Sequence, residues 1–241
     1  RHQLWSGILM AISKGTVEEH AKTLKEVIQA LNKAKLKIRP EKCCFGYKRI
    51  RLLGHIVDQD KFRLDPEKVS SLIHAPVPAT GKQVQAFLGF ANYLRDFIPL
   101  YAQLSAPLDA LRNLKNVKPY WNSQCQGAFE GIKKLLSRQP VILLPDWSLP
   151  LTVSMDASNH SIGAVLYQTE ESGKCWYLCF ASKALQGPQR NYNTTHWELL
   201  AIIFALKQFR LWLYGRHFEI YTDHRALQYL FQHKNNNQML N

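Results

Sequence analysis

The apolar periodicity of this 241-residue chain changes once, and that change limits its fold more than any other feature. Up to about residue 138, apolar positions recur at helical spacing in short stretches separated by prolines. Beyond the proline-rich stretch Gln139 to Pro150 they alternate at period two. In the first part, Thr16-Val17-Glu18-Glu19 is a capping box followed by Leu24, Val27, Ile28 and Leu31, which predicts a helix over about 16–35, stopped by Pro40. Ile50, Leu52, Ile56 and Val57, broken at Gly54, predict a short strand pair. Asp65-Pro66 joins an N-cap to a proline at the first helical position, with Val69, Leu72 and Ile73 inside that helix. Thr80 and Gln83 cap the next, whose stripe is Val84, Phe87, Leu88 and Ala91. Leu104, Leu108 and Leu111 mark another helical stretch. A further helix, opened by Asn122 or Ser123, carries Phe129, Ile132, Leu135 and Leu136, so residues 65–138 read as a small helical domain.

Past the boundary, Leu151 to Asp156 alternates strictly, and Gly163–Gln168 and Cys175–Ala181 supply two more strands. Thr195–Leu213 reads as one long helix with Leu199, Ile202, Ile203, Leu206 and Phe209 inward. Phe218–Thr222 alternates again and ends at Asp223, and Arg225–Phe231 begins a last helix. The order β-β-β-α-β-α predicts a sheet with helices packed on it, and the chain as a whole an α+β fold.

Composition narrows the class. Apolar residues make up 46% and charged residues 20%, which excludes a disordered or collagen-like chain. The longest apolar run, Leu199 to Leu206, is far short of the roughly 20 residues of a membrane span. The first residues lack a secretion signal and the chain opens without Met, which reads as a piece of something longer. Cys175 and Cys179, four apart on a strand, would sit about 13 Å apart, too far to share a metal or a disulfide. The odd set of five cysteines therefore predicts free thiols in an intracellular protein, cytoplasmic or nuclear.

Charge is unevenly placed. Of 31 basic and 18 acidic side chains, residues 1–145 hold 23 and 11, while residues 146–241 hold 8 and 7. The basic half suits a polyanion. Its densest stretch, Lys33, Lys35, Lys37, Arg39, Lys42, Lys48, Arg49 and Arg51, is interleaved with Phe45 and Tyr47 and opposed only by Glu41. That pattern is a candidate nucleic-acid-binding surface, a solvated basic face being the alternative.

In the near-neutral half, Asp156 closes one strand, Asp223 closes another, and Glu198 lies near the start of the helix between them. Three converging carboxylates favour one or two Mg²⁺ or Mn²⁺ ions, and such a pair can cleave a phosphodiester. Each acid alone has a plainer reading: Glu198 as the back half of a capping box with Thr195, the two aspartates as turn or cap residues. His196 and His224 read as surface residues, and His160 as a loop residue able to touch substrate.

Leu53-Gly54-His55-Ile56-Val57, Phe87-Leu88-Gly89-Phe90-Ala91-Asn92-Tyr93-Leu94-Arg95-Asp96-Phe97-Ile98-Pro99, Met155-Asp156-Ala157-Ser158, Ile162-Gly163-Ala164-Val165-Leu166, Glu198-Leu199-Leu200-Ala201 and Tyr221-Thr222-Asp223-His224 together resemble the pol polyprotein of gypsy-type LTR retrotransposons. The resemblance covers essentially the whole chain and implies three regions. Residues 1–62 resemble the end of the reverse-transcriptase palm with primer-grip-like strands, and residues 63–140 a helical thumb that holds a template–primer duplex by its backbone. Residues 146–241 resemble a C-terminally truncated RNase H domain that cuts the RNA of an RNA–DNA hybrid. It places Asp156, Glu198 and Asp223 at the family's metal-binding carboxylates. Two departures stand beside it. Leu4-Trp5-Ser6-Gly7 occupies the place of the family's aromatic-x-Asp-Asp, before a strand at Ile8–Lys14, and no acid precedes Glu18, so this chain is not expected to polymerise DNA. No acid follows Asp223 either, where the family carries a fourth carboxylate, so weakened nuclease activity is expected. Three readings remain open at this point: a metal-dependent ribonuclease, a duplex-binding relic or host-captured interaction module without catalysis, and a degraded reading frame.

Overall fold

The computed structural model describes residues 16–52, 54–58, 61–138, 141–224 and Leu227, leaving aside the side chains of Lys42, Leu52 and Val141. The strand expected at Ile8–Lys14 and, apart from Leu227, the helix expected from Arg225 lie outside these residues. The described part is α+β and has two separate apolar cores.

Helix α1 (Val17–Lys33) begins at its capping box, with Glu19 N–H donating to Thr16 Oγ1 and Thr16 N–H to the Glu19 carboxylate. Three strands then form an antiparallel meander: β1 (Arg49–Leu52), β2 (His55–Asp58) and β3 (Lys61–Leu64). Gly54 makes the first turn with φ +74, a conformation that suits glycine. A fourth strand, β4 (Val141–Leu143), pairs with β3 across nearly 80 residues. The expected boundary at residue 62 thus falls inside β3, and the proline-rich boundary stretch contributes a strand to this sheet.

Between β3 and β4 lie the expected helices. Asp65 caps α2 (Pro66–Ile73), the Thr80–Gln83 box caps α3 (Gly81–Tyr93), and Asn122 caps α5 (Ser123–Ser137). Helix α4 (Tyr101–Asp109) differs: it follows Leu100, which lies in the left-handed region at φ 49, ψ 35 and makes no side-chain cap. Val84, Leu88, Phe129, Ile132 and Leu136 are fully enclosed at the centre of these helices. His55 of β2 stacks on Phe62 and Phe97, joining the small sheet to the helices.

The second core belongs to a sheet of β5 (Leu151–Ala157), β6 (Ser161–Thr169), β7 (Cys175–Ala184) and β8 (Phe218–Tyr221), in the order β7-β6-β5-β8. All neighbours are antiparallel except β5 and β8. Helix α6 (Thr194–Gln208) lays Ala201, Ile202 and Ala205 over Val153, Met155, Ala164 and Leu166. The single helix expected over 195–213 is broken: α6 ends on Phe209, which also opens the short α7 (Arg210–Leu213). Its inward face is also narrower than expected, because Leu199 and Ile203 are exposed at 37% and 42%. The helix is apolar nearly all round, so periodicity did not single out the buried side.

The opposite face of the sheet meets the helical region. Arg95 donates to the Ser182 carbonyl at 2.7 Å, and Ala102 N–H donates to Ser182 Oγ at 2.8 Å.

Candidate carboxylate site and nucleic-acid interface

Sheet topology brings the three acids to one end. Two antiparallel steps make β7 run in the same direction as β5, and β8 is parallel to β5. Helix α6 leaves the finishing end of β7, so it starts at the end of the sheet where β5 and β8 also finish. The last registered β5–β8 pair is Ser154 opposite Tyr221. Asp156 and Asp223 each stand two residues beyond that pair, on chains about 4.8 Å apart. Glu198 lies on the first turns of α6 above them.

The electrostatics register this convergence. Burial pushes the Glu198 carboxyl above the ordinary glutamate range, and the negative charges of Asp223 and Asp156 push it further, against the pull of His224. Glu198 is only 7% exposed, whereas Asp156 and Asp223 are open to solvent. No Lys or Arg makes an ion pair with any of the three among the described residues.

The capping alternative for Glu198 does not hold. The N-cap of α6 is Asn193, whose Oδ1 accepts the His196 N–H at 2.9 Å. His196 stays on the surface as expected, and His160 is exposed in the Ser158–Ser161 turn. His224 corrects the sequence reading. It is half-buried, with Nε2 3.5 Å from Thr195 Oγ1 on the first turn of α6, and its Nδ1 is enclosed with no hydrogen-bond partner among the described residues. Sequence offered one signal for this, its position next to Asp223.

All-oxygen donors in mutual repulsion are what a hard divalent cation takes, so the donor chemistry fits Mg²⁺ or Mn²⁺. The placement is open: among the described residues no three His, Cys, Asp or Glu side chains are grouped closely enough to hold a metal ion as they stand.

The basic stretch divides into two sets. Lys33, Lys35, Lys37, Arg39 and Lys48 are exposed, as are Phe45 and Tyr47 at 56% and 70%. Arg49 and Arg51 instead have local acids: Arg49 pairs with Asp58 at 3.0 Å, and Arg51 with Glu67 at 3.2 Å and Asp65 at 3.9 Å. Sequence showed only Glu41 nearby because these acids arrive through the meander and the α2 cap. The side chain of Lys42 lies outside the described residues. The Cys179 thiol is pushed up to about 12, chiefly by burial and then by Asp96, which keeps it protonated and inert.

Known proteins share this architecture. Residues 146–241 match the model of the RNase H-like domain found in reverse transcriptase. The retrovirus-related Pol polyprotein from transposon 297 of Drosophila melanogaster is 36% identical over 215 residues, 89% of this chain and 20% of that protein. The transposon Tf2-3 polyprotein of Schizosaccharomyces pombe is 35% identical over 211 residues, 87% of this chain and 16% of that protein. The chain therefore spans about a fifth or less of these relatives. The foamy viral protease-reverse transcriptase in complex with RNA/DNA hybrid shares the fold with a TM-score of 0.66 at 22% identity, over 94% of this chain and 31% of that one. Its complex with dsDNA gives 0.67 at 24%, over 94% and 47%. The chain belongs with the retrovirus-related Pol polyproteins of transposons and carries, over residues 146–241, the RNase H-like domain of reverse transcriptase.

Proposed function

We propose that residues 146–241 act on an RNA–DNA hybrid, cleaving its RNA strand with a divalent cation held by Asp156, Glu198 and Asp223, in a gypsy-type retrotransposon context inside the cell. The observation that carries this reading is the strand register that leaves Asp156 and Asp223 two residues beyond the last β5–β8 pair, at the end of the sheet where α6 begins and carries Glu198. A bound cation would supply the charge that activates a water and stabilises the leaving oxygen at the scissile phosphate. The chain's own residues prepare that place. Asp156 and Asp223, exposed at the strand ends, present oxygens toward solvent, where a duplex backbone can approach. Glu198 fixes the inner wall, its charge disfavoured until a cation relieves it. His224 braces the first turn of α6 through Thr195.

The helical region and the exposed set Lys33, Lys35, Lys37, Arg39 and Lys48 hold the duplex by its phosphates, a sequence-independent grip. The foamy viral enzyme, bound to dsDNA and to RNA/DNA hybrid, supports a duplex as the partner. With no acid before Glu18, this chain offers no carboxylates to a polymerase centre at its start.

A second reading, duplex binding without cleavage, is favoured by the open spacing of the carboxylates. Incubating the protein with labelled RNA–DNA hybrid and Mn²⁺ or Mg²⁺ separates the two. RNA cleavage that disappears in Asp156→Asn supports the nuclease. Intact RNA with salt-dependent retention of the hybrid supports the binding module.

A further inference from the structure

Asp156 sits in a cross-strand row that the helical region grips from outside. It is directly opposite Gly163 on β6, and Gly163 is directly opposite Ser182 on β7. Directly opposed residues of antiparallel strands project to the same face. Ala164 and Ala181, one position along, face α6, so Gly163 and Ser182 face away from it, toward the helical region, while Asp156 at the end of the row is open to solvent. Both hydrogen bonds described above between the helical region and the sheet fall on this row. A Cβ on residue 163 would collide with Leu100 Cδ2, so the bare glycine is the hollow in which the Leu100 side chain sits. Ser182 makes the second and third contacts, its hydroxyl accepting from Ala102 N–H and its carbonyl from Arg95.

Two features show that this seat is built. Leu100 is left-handed, a conformation L side chains rarely adopt, and it remains 41% exposed, so burial of its own surface does not explain its placement. Ala102 is the second residue of α4, and the orphan N–H that Leu100 leaves uncapped is satisfied by Ser182 of the other domain. Helix and sheet therefore complete one another at this point. The β5–β6 ladder runs one pair past Asp156, to Ala157 opposite Ile162, and closes in the hydrogen-bonded Ser158–Ser161 turn, so the seat on Gly163 adds to the support of the strand end bearing the carboxylate.

We propose that Leu100 and Ser182 are positioning residues for the carboxylate site: seated on Gly163, they hold the row that carries Asp156 and fix its distance from the duplex-gripping helices. The role of Asp156 in this statement rests on the proposed function; the mechanical link does not. Separating the helical region from the row lets the end of β5 open and spreads the carboxylates.

The test uses the full chain and two readouts, hydrogen exchange of residues 154–163 by mass spectrometry and Mn²⁺ affinity by calorimetry. Ser182→Ala and Leu100→Ala speed exchange in that segment and weaken Mn²⁺ binding roughly tenfold, the low end of the loss when a support of a metal site is removed. Ser182→Thr, which keeps the hydroxyl, restores both. Leu104→Ala is the control: its side chain packs against the helical core beside Gly131 of α5 and has no described contact with Gly163 or Ser182, so it lowers stability without either effect. Equal loss of Mn²⁺ affinity in Leu104→Ala, or unchanged exchange in Ser182→Ala and Leu100→Ala, overturns the proposal. If Asp156→Asn leaves Mn²⁺ binding as in the parent chain, the proposed function fails instead, and exchange alone then decides whether the link exists.

Discussion

In the helical region, buried polar side chains point back into the fold: Asp65 caps α2, Ser105 donates to Asp109, and the Tyr101 hydroxyl donates to the Leu88 carbonyl. The C-terminal domain treats Gln168 the same way, tying it to Asp146 and Leu149 through three hydrogen bonds. Glu198 breaks the pattern. It is buried, has no hydrogen-bond donor to its carboxylate among the described residues, and is flanked by two further acids. A buried charge left in that state costs stability unless a ligand relieves it. One region is thus arranged to stand and to hold; the other keeps an electrostatic debt at one end of its sheet.

The largest expected effect tests whether the regions are distinct. Phe129 is fully enclosed and packs on Phe87 with ring centroids 4.7 Å apart. Phe129→Ala should cost about 3–5 kcal/mol in the helical region. Hydrogen exchange in urea, read segment by segment, should show α3 and α5 opening first, with β5–β7 shifted only by the loss of the contacts at Ser182 and Gly163. Equal shifts throughout would make the two cores one cooperative unit and dissolve the contrast.

Glu198→Gln comes next. It removes the repelled charge while keeping the shape, so the metal-free protein should gain stability at neutral pH and lose its thermal response to Mn²⁺. The sign of the pH dependence follows from the raised pKa. The folded state holds the Glu198 proton more tightly than the unfolded chain does, so metal-free stability falls as pH rises above the ordinary glutamate value of about 4.3. Below that value both states are protonated and the difference vanishes. Urea midpoints at a series of pH values should show this decline in the parent chain and a flatter line in Glu198→Gln. A parent slope no steeper than the variant's would remove Glu198 as the distinguishing group.

These contrasts were unevenly legible in the sequence. The capping signals at Thr16, Asp65, Thr80 and Asn122 placed four helices because a cap is a local bargain between a side chain and the next turn. The β-β-β-α-β order placed each of Asp156, Glu198 and Asp223 at the end of an element, but that β5, β7 and β8 run together shows only in the strand pairing. What stayed hidden was non-local. Nothing near Val141 announces β3 as its partner, and nothing near Arg49 announces Asp58 across the hairpin. Ser182 lies in the string Ala181-Ser182-Lys183-Ala184-Leu185 that shares the pol resemblance, but neither it nor Leu100 announces the other, since their pairing exists only once the two cores meet. The break at Phe209 has no Pro or Gly to mark it; that residue is buried at 1% exposure while ending one helix and opening the next.

Ser182→Ala sharpens the comparison at the seam. Loss of an N-cap hydroxyl costs about 1 kcal/mol, and here the loss should appear in α4, although the substitution lies in the sheet. Exchange of the α4 amides is the measurement. Loosening confined to β7 would mean that the hydroxyl serves only its own strand.

The smallest effects concern the grip. Five exposed cations, Lys33, Lys35, Lys37, Arg39 and Lys48, have no local acid among the described residues, while Arg49 and Arg51 do. An unpaired cation on a phosphate releases a counterion when it binds, so each contributes about 0.9 to the slope of log affinity against log salt for duplex DNA. A cation already paired with Asp58 or Glu67 must give up that partner first and contributes less. Replacing Lys35 or Lys37 with Gln should therefore lower the salt slope for hybrid binding by close to one unit, and Arg49→Gln by distinctly less. Filter binding at several salt concentrations distinguishes them. Equal slopes for all three variants would mean that the meander's ion pairs open on contact with the duplex, and the basic stretch would then act as one surface with the helices.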